Sequence, residues 1–135
     1  MMESRPLSIP VILGTARKGR MSGHVARFME EQVRRLEGVE TELIDIARLP
    51  MPIDDAGEEI KDPAFAAQMN RADALVLIVP EYNHSFPGLL KHVLDTNLEE
   101  YIHKAAGIVS LLPRPGADHA AIGATARAWR SDPPR

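Results

Sequence analysis

Ala74-Leu75-Val76-Leu77-Ile78-Val79-Pro80-Glu81-Tyr82-Asn83-His84-Ser85-Phe86-Pro87-Gly88-Leu89-Leu90 is the stretch that decides the fold. Its first six residues are apolar without alternation, the pattern of a strand buried on both faces in a helix-covered parallel sheet. A polar and aromatic loop follows at once. Pro87 then restarts the chain as a helix, with Leu89, Leu90, Val93, Leu94 and Leu98 on its apolar face. In open α/β sheets, ligands sit outside the carboxyl ends of the strands, where strand order reverses. The loop from Pro80 to Ser85 is therefore a candidate site.

The same order of elements recurs outward from this stretch. Leu7 to Leu13 reads as strand one, ending at Gly14-Thr15-Ala16-Arg17-Lys18-Gly19-Arg20-Met21-Ser22. From Ser22 to Glu37 the period is helical, with Val25, Phe28, Met29, Val33 and Leu36 on one face and Gly38 as C-cap. Glu40 to Ile46 alternates charged and apolar residues, which predicts a strand near a sheet edge. Pro63 opens a short helix through Arg71, Ala74 to Val79 is strand three, and Ala105 to Leu112 is strand four. Strands alternating with helices predict an α/β domain with a doubly wound parallel sheet, flavodoxin-like or Rossmann-like.

Composition narrows the function. With 135 residues, the chain has room for one domain and one core. A net charge of -3, with no basic stripe, argues against nucleic acid as a partner. The absence of cysteine removes disulfides and thiolate chemistry. No apolar run reaches the roughly 18 residues of a membrane span. Met-Met-Glu-Ser-Arg-Pro lacks the regions of a signal peptide, so a cytoplasmic location is expected, with no membrane partner.

The chemistry of the two loops points to an anion and a planar ring. Gly14 lets the backbone turn sharply out of the strand. Thr15 and Ser22 offer hydroxyls, Arg17 and Arg20 offer charged donors, and the helix beginning at Ser22 presents free N–H groups. The segment is neither a Walker loop nor Gly-x-Gly-x-x-Gly. A solvated basic turn with Ser22 as an ordinary N-cap explains it equally well. In the second loop Tyr82 can stack on a ring, and Asn83 can bond exocyclic groups or support a tight turn. His84 reads as a hydrogen-bonding residue. The acids Asp54, Asp55, Glu58 and Glu59 read as solvated surface, so no metal site and no catalytic side chain is expected.

Read together, Gly14-Thr15-Ala16-Arg17 to Ser22 and Pro80-Glu81-Tyr82-Asn83-His84-Ser85-Phe86-Pro87-Gly88-Leu89-Leu90-Lys91 resemble the two signatures of the NADPH-dependent FMN reductases. This is a flavodoxin-like family that includes quinone, azo-dye and chromate reductases. The resemblance runs from about Ile9 to about Val109. It implies an FMN site formed by Gly14, Thr15, Arg17, Arg20, Met21, Ser22, Pro80, Glu81, Tyr82, Asn83, His84 and Ser85. It also implies NADPH or NADH as co-substrate, and flavins, quinones or similar small molecules as electron acceptors. Homodimers or homotetramers packed through the Pro87 helix follow from it as well. A flavin carries the redox chemistry itself, in keeping with a chain that shows no triad.

Past Val109 the family's Gly-rich loop, further helix, fifth strand and last helix are not recognisable. Residues 1–112 are therefore expected to form an incomplete flavodoxin-like FMN-binding domain, with residues 113–135 an atypical tail. In that tail His119 to Arg130 could form a weak helix before a disordered end. The expectation is a truncated or frameshifted member: an FMN-dependent NAD(P)H oxidoreductase, or else an impaired remnant that oligomerises and holds flavin weakly or not at all. Deleting Ser131 to Arg135 is expected to leave the melting temperature unchanged within error in a thermal scan, because unpacked termini bury few contacts.

Overall fold

The computed structural model describes residues 5–51, 62–112 and Ala126. In chain order it contains strands β1 (Leu7–Ser8) and β2 (Val11–Leu13), helix α1 (Ser22–Arg34), and strands β3 (Val39–Glu40) and β4 (Leu43–Asp45). Helix α2 (Pro63–Arg71), strand β5 (Ala74–Pro80), helix α3 (Gly88–Asp95) and strand β6 (Ala105–Leu111) follow. Short 3₁₀ turns, Ile46–Arg48 and Glu99–Tyr101, trail β4 and α3. Asp54, Asp55, Glu58 and Glu59, and the tail from Pro113 apart from Ala126, lie outside the described residues.

Strands β4, β2, β5 and β6 form one parallel sheet in that order. The second long strand of the chain thus lies outside the first, and the third and fourth lie on the other side. That is the flavodoxin-like arrangement, with its switch point between β2 and β5. β4 stands at an edge, as its charge alternation predicted.

The expected strands Leu7 to Leu13 and Glu40 to Ile46 are each broken in two, and at the same level. Pro10 has no N–H to donate, so the regular ladder pauses there. The Thr41 hydroxyl donates to the Ile9 carbonyl at 2.7 Å across the gap. β1 pairs with β3 below the break and β2 with β4 above it.

The pleat sends alternate residues to opposite faces. Ile12, Leu75, Leu77 and Val79 pack with Phe65 and Met69 of α2 and with Leu90, Val93 and Leu94 of α3. Val11, Leu13 and Ile78 pack on the other face against Ala26 and Val33 of α1. Burying each such large aliphatic side chain contributes about 1.5–3 kcal/mol. No helix among the described residues is long and apolar enough to cross a membrane.

Both helix faces differ from the expected stripes. In α1 the buried residues are Ser22, Gly23, Ala26 and Val33, whereas Phe28 and Leu36 are 58% and 55% exposed. Small residues let the first turns approach the sheet closely, and this rotates the larger ones outward. The helix ends at Arg34 rather than Glu37 and is capped at Arg35. Gly38 instead supplies a left-handed residue at φ +72° before β3. In α3, Leu90, Val93 and Leu94 are buried. Leu89 is partly exposed, and Leu98 lies beyond the helix end and is exposed.

At the amino end of the sheet, Asp73 ties β1 to β5. Its carboxylate accepts from Arg5 at 2.8 and 2.9 Å and from the Ser8 N–H at 2.8 Å. The hydrogen bonds from Arg5, then that from Ser8, hold its pKa below the usual range. A depressed carboxylate contributes stability above its unfolded-state pKa, and the contribution is lost as pH falls through the folded value. Asp73→Asn should therefore lower stability at neutral pH, and the difference from the parent should narrow in acid. Urea melts at pH 7 and at pH 3 check this.

Gly14 marks the opposite end. A Cβ there would stand 2.6 Å from the Ile78 carbonyl oxygen and 2.9 Å from Leu90 Cδ2. Backbone cannot yield as a side chain tip can, so Gly14→Ala forces β2 and β5 apart. We expect a loss of about 1–3 kcal/mol in denaturant titration, and a parent-like midpoint would show that this junction is loose.

Candidate functional site

The two candidate loops leave adjacent strands at one level. Leu13 pairs with Ile78, and the Gly14 N–H still donates to the Ile78 carbonyl at 2.9 Å before the chains diverge. The first loop then turns into α1 and the second into α3.

In the first loop Thr15 is buried. Its Oγ1 lies 2.8 Å from the Tyr82 hydroxyl, a direct tie between the two loops. The Arg17 guanidinium lies over the same tyrosine ring, 5.8 Å from its centroid, within cation–π range. Gly19, at φ +68°, turns the loop back toward the helix. Arg20, expected as a cofactor-binding residue, is also engaged within the protein. It donates to the Thr15 carbonyl at 2.6 Å and pairs with Asp45 at the end of β4. It is a brace that fixes the loop's curvature.

Ser22 is not the N-cap. Met21 holds that position without a side-chain capping bond and is 70% exposed. Ser22 is the first helical residue and only 3% exposed, and its Oγ has no hydrogen-bond partner among the described residues. A buried hydroxyl left unpaired costs about 1–3 kcal/mol. It sits where the first N–H groups of a helix lack intrahelical acceptors and where the helix dipole favours negative charge. No acidic residue occupies the first turn. These donors fit a phosphate, and the reading of Ser22 as the N-cap is corrected to Met21.

The second loop is a tight hairpin. Tyr82 and Ser85 exchange both backbone hydrogen bonds, at 2.9 and 3.0 Å. Asn83 and His84 take φ of +51° and +63°, as a two-residue type I′ turn requires. The Glu81 carboxylate accepts from the His84 N–H at 2.6 Å. Leu111 of β6 accepts from the Glu81 N–H at 2.9 Å.

Between the loops lies a cleft of about 580 Å³, within the range of small-molecule sites. Arg17, Arg20, Met21 and Ser22 line one wall, and Pro80, Glu81 and Tyr82 the other. Gly14 and Thr15 do not line the cleft, and Thr15 meets its wall through the Tyr82 hydroxyl. Asn83, His84 and Ser85 do not line the cleft; they complete the turn that follows Tyr82. Sequence reading missed Lys18, Gly19, Leu111 and Leu112, which also line it. Lys18 and Gly19 sat inside the quoted loop, whereas Leu111 and Leu112 carry no motif and enter only because β6 pairs beside β5.

Residues 7–125 match the sequence model of the NADPH-dependent FMN reductases, so the match continues past Val109. The chain is 36% identical over 96 residues to a quinone reductase of Escherichia coli, covering 68% of this chain and 50% of that one. It is 30% identical over 129 residues to a quinone reductase of Pseudomonas putida, covering 87% and 68%. The chain thus spans about half the length of the Escherichia coli relative. The fold resembles that of a flavoenzyme NAD(P)H:(acceptor) oxidoreductase from Paracoccus denitrificans, with a TM-score of 0.65, 26% identity and coverage of 90% and 68%. The chain belongs to the NADPH-dependent FMN reductase family.

Proposed function

We propose that this chain holds FMN in the cleft between its two loops and takes part in NAD(P)H-dependent reduction of small acceptors such as quinones or flavins. The observation that carries the reading is the buried, unpartnered Ser22 hydroxyl at a helix N-terminus, facing a cleft walled by Arg17 and Tyr82. Ser22 and the first N–H groups of α1 would hold the phosphate, with Arg17 adding charge from the loop. Pro80, Glu81 and Tyr82 would border the ring system. Thr15 holds the Tyr82 hydroxyl and so fixes that wall before a ligand arrives. FMN held there would supply the two-electron redox chemistry between nicotinamide and acceptor, so the protein's task is binding and orientation. The partly exposed Leu89 and exposed Leu98 near α3 support self-association as a homodimer or homotetramer, and a cytoplasmic setting suits the co-substrate.

A fluorescence-quenching titration tests the reading. FMN should saturate the parent at one molecule per chain, and the loaded protein should oxidise NADPH when a benzoquinone is supplied. Arg17→Ala should weaken FMN by about 10- to 100-fold, since a hydrogen bond to a charged group is worth about 1.5–3 kcal/mol. A parent that leaves FMN fluorescence untouched at millimolar protein would refute the reading. Unchanged affinity in Arg17→Ala would mean that this arginine serves only to cover Tyr82.

A further inference from the structure

Arg20 holds the first loop only as firmly as its own partner is held. That partner, Asp45, closes β4 and stands opposite Leu13 in the parallel register. On the β5 side Gly14 and Thr15 secure the loop through Ile78 and Tyr82. On the β4 side Asp45 secures it. One carboxylate oxygen accepts from the Ala47 N–H at 3.0 Å and caps the 3₁₀ turn, while the other pairs with Arg20. The capping bond fixes the carboxylate, the carboxylate fixes the guanidinium, and the guanidinium donates to the Thr15 carbonyl at 2.6 Å. The side chains of Arg20 and Asp45 are only 20% and 16% exposed, so solvent screens this pair less than an open surface pair. Asp45 does not line the cleft between the two loops.

A second cleft, of about 540 Å³, lies on this β4 side of the loop. Arg17, Lys18, Arg20, Arg27 and Arg48 all border it, and Asp45 is the one carboxylate among its lining residues. Five like charges gathered in this way repel one another, and Asp45 offsets that repulsion. Arg48 takes a small share of the acid: its Nε stands 3.9 Å away and its side chain is 87% exposed. Arg20 takes the larger share. Without Asp45, Arg20 would release the Thr15 carbonyl, and the turn at Gly19 that leads into α1 would shift with it. The Ser22 hydroxyl and the first N–H groups of α1 hold a phosphate only where the loop delivers them. Resting on the flavin-site reading above, we propose that Asp45 is a positioning residue for flavin binding: without touching the ligand, it sets the loop through Arg20 and so places the phosphate donors of α1.

Fluorescence titrations of the full chain with FMN and with riboflavin, which lacks only the phosphate, test the assignment without any turnover. Asp45→Asn leaves an oxygen for the Ala47 N–H and removes the charge alone. Arg20→Gln breaks the same pair from the other side, and carries the comparison should Asp45→Asn give no cooperative melt. The parent should bind FMN at least about tenfold tighter than riboflavin, as charge-assisted contacts to a phosphate predict. Each variant should lose most of that advantage through weaker FMN binding, with riboflavin affinity unchanged within error. The double variant should weaken FMN no further than either single one, because both remove one interaction. FMN affinity that survives both single variants overturns the proposal. An equal loss for FMN and riboflavin also overturns it, marking Asp45 as a merely structural acid. So does tighter FMN binding in Asp45→Asn, which would show Arg20 to be a better ligand when released. A parent that binds neither flavin removes the flavin-site reading itself, a signal seen before any variant is made and distinct from variants that leave a working FMN site untouched.

Discussion

The structure depends on the parallel pairing of β2 with β5. Val11, Ile12 and Leu13 meet Val76, Leu77 and Ile78 in register, and all but Val76 are essentially inaccessible to solvent. Such a pair can form only where helices cover both faces, so α1 on one side and α2 with α3 on the other follow from it. The last bond of the pair, from Gly14 to Ile78, releases two loops at the same height. The candidate flavin site is built on those loops. The close fit of Gly14 beneath the Ile78 carbonyl is what keeps them a fixed distance apart.

From that junction the site assembles with little freedom left. Arg20 ties the first loop to β4, Glu81 ties the second to β6, and Thr15 with Tyr82 ties each to the other. Preorganisation of this kind lowers the ordering cost of binding. The same bracing explains a division of labour among the arginines. Arg20 turns inward to hold the backbone, Arg17 lies over a ring at the mouth of the first cleft, and Arg27 and Arg48 face the second.

Much of this was legible in the sequence, for identifiable reasons. The unbroken run Ala74 to Val79 could only be a doubly buried strand, and Pro63 and Pro87 marked helix starts to within a residue. The anion role proposed for the loop from Gly14 to Ser22 also starts from its residue types. What stayed hidden depended on long-range partners. Nothing near Arg20 reveals that Asp45 claims it. Asn83 could equally bond a ligand or take a left-handed φ, and only its pairing context places it at the tip of a type I′ turn. The helical period also placed Phe28 and Leu36 inside, because it could not register how closely Ser22, Gly23 and Ala26 let α1 approach the sheet. Leu111 and Leu112 reach the cleft through sheet order, which no local motif encodes.

The central claim is that the Ser22 hydroxyl, buried and without a protein partner among the described residues, receives a phosphate. Phosphorus-31 NMR of FMN mixed with the protein reads that contact directly. The account predicts a bound resonance displaced from that of free FMN in the parent, and a displacement that shrinks in Ser22→Ala while the circular dichroism spectrum stays parent-like. A bound flavin whose phosphorus resonance matches free FMN, or one unmoved by Ser22→Ala, would contradict it.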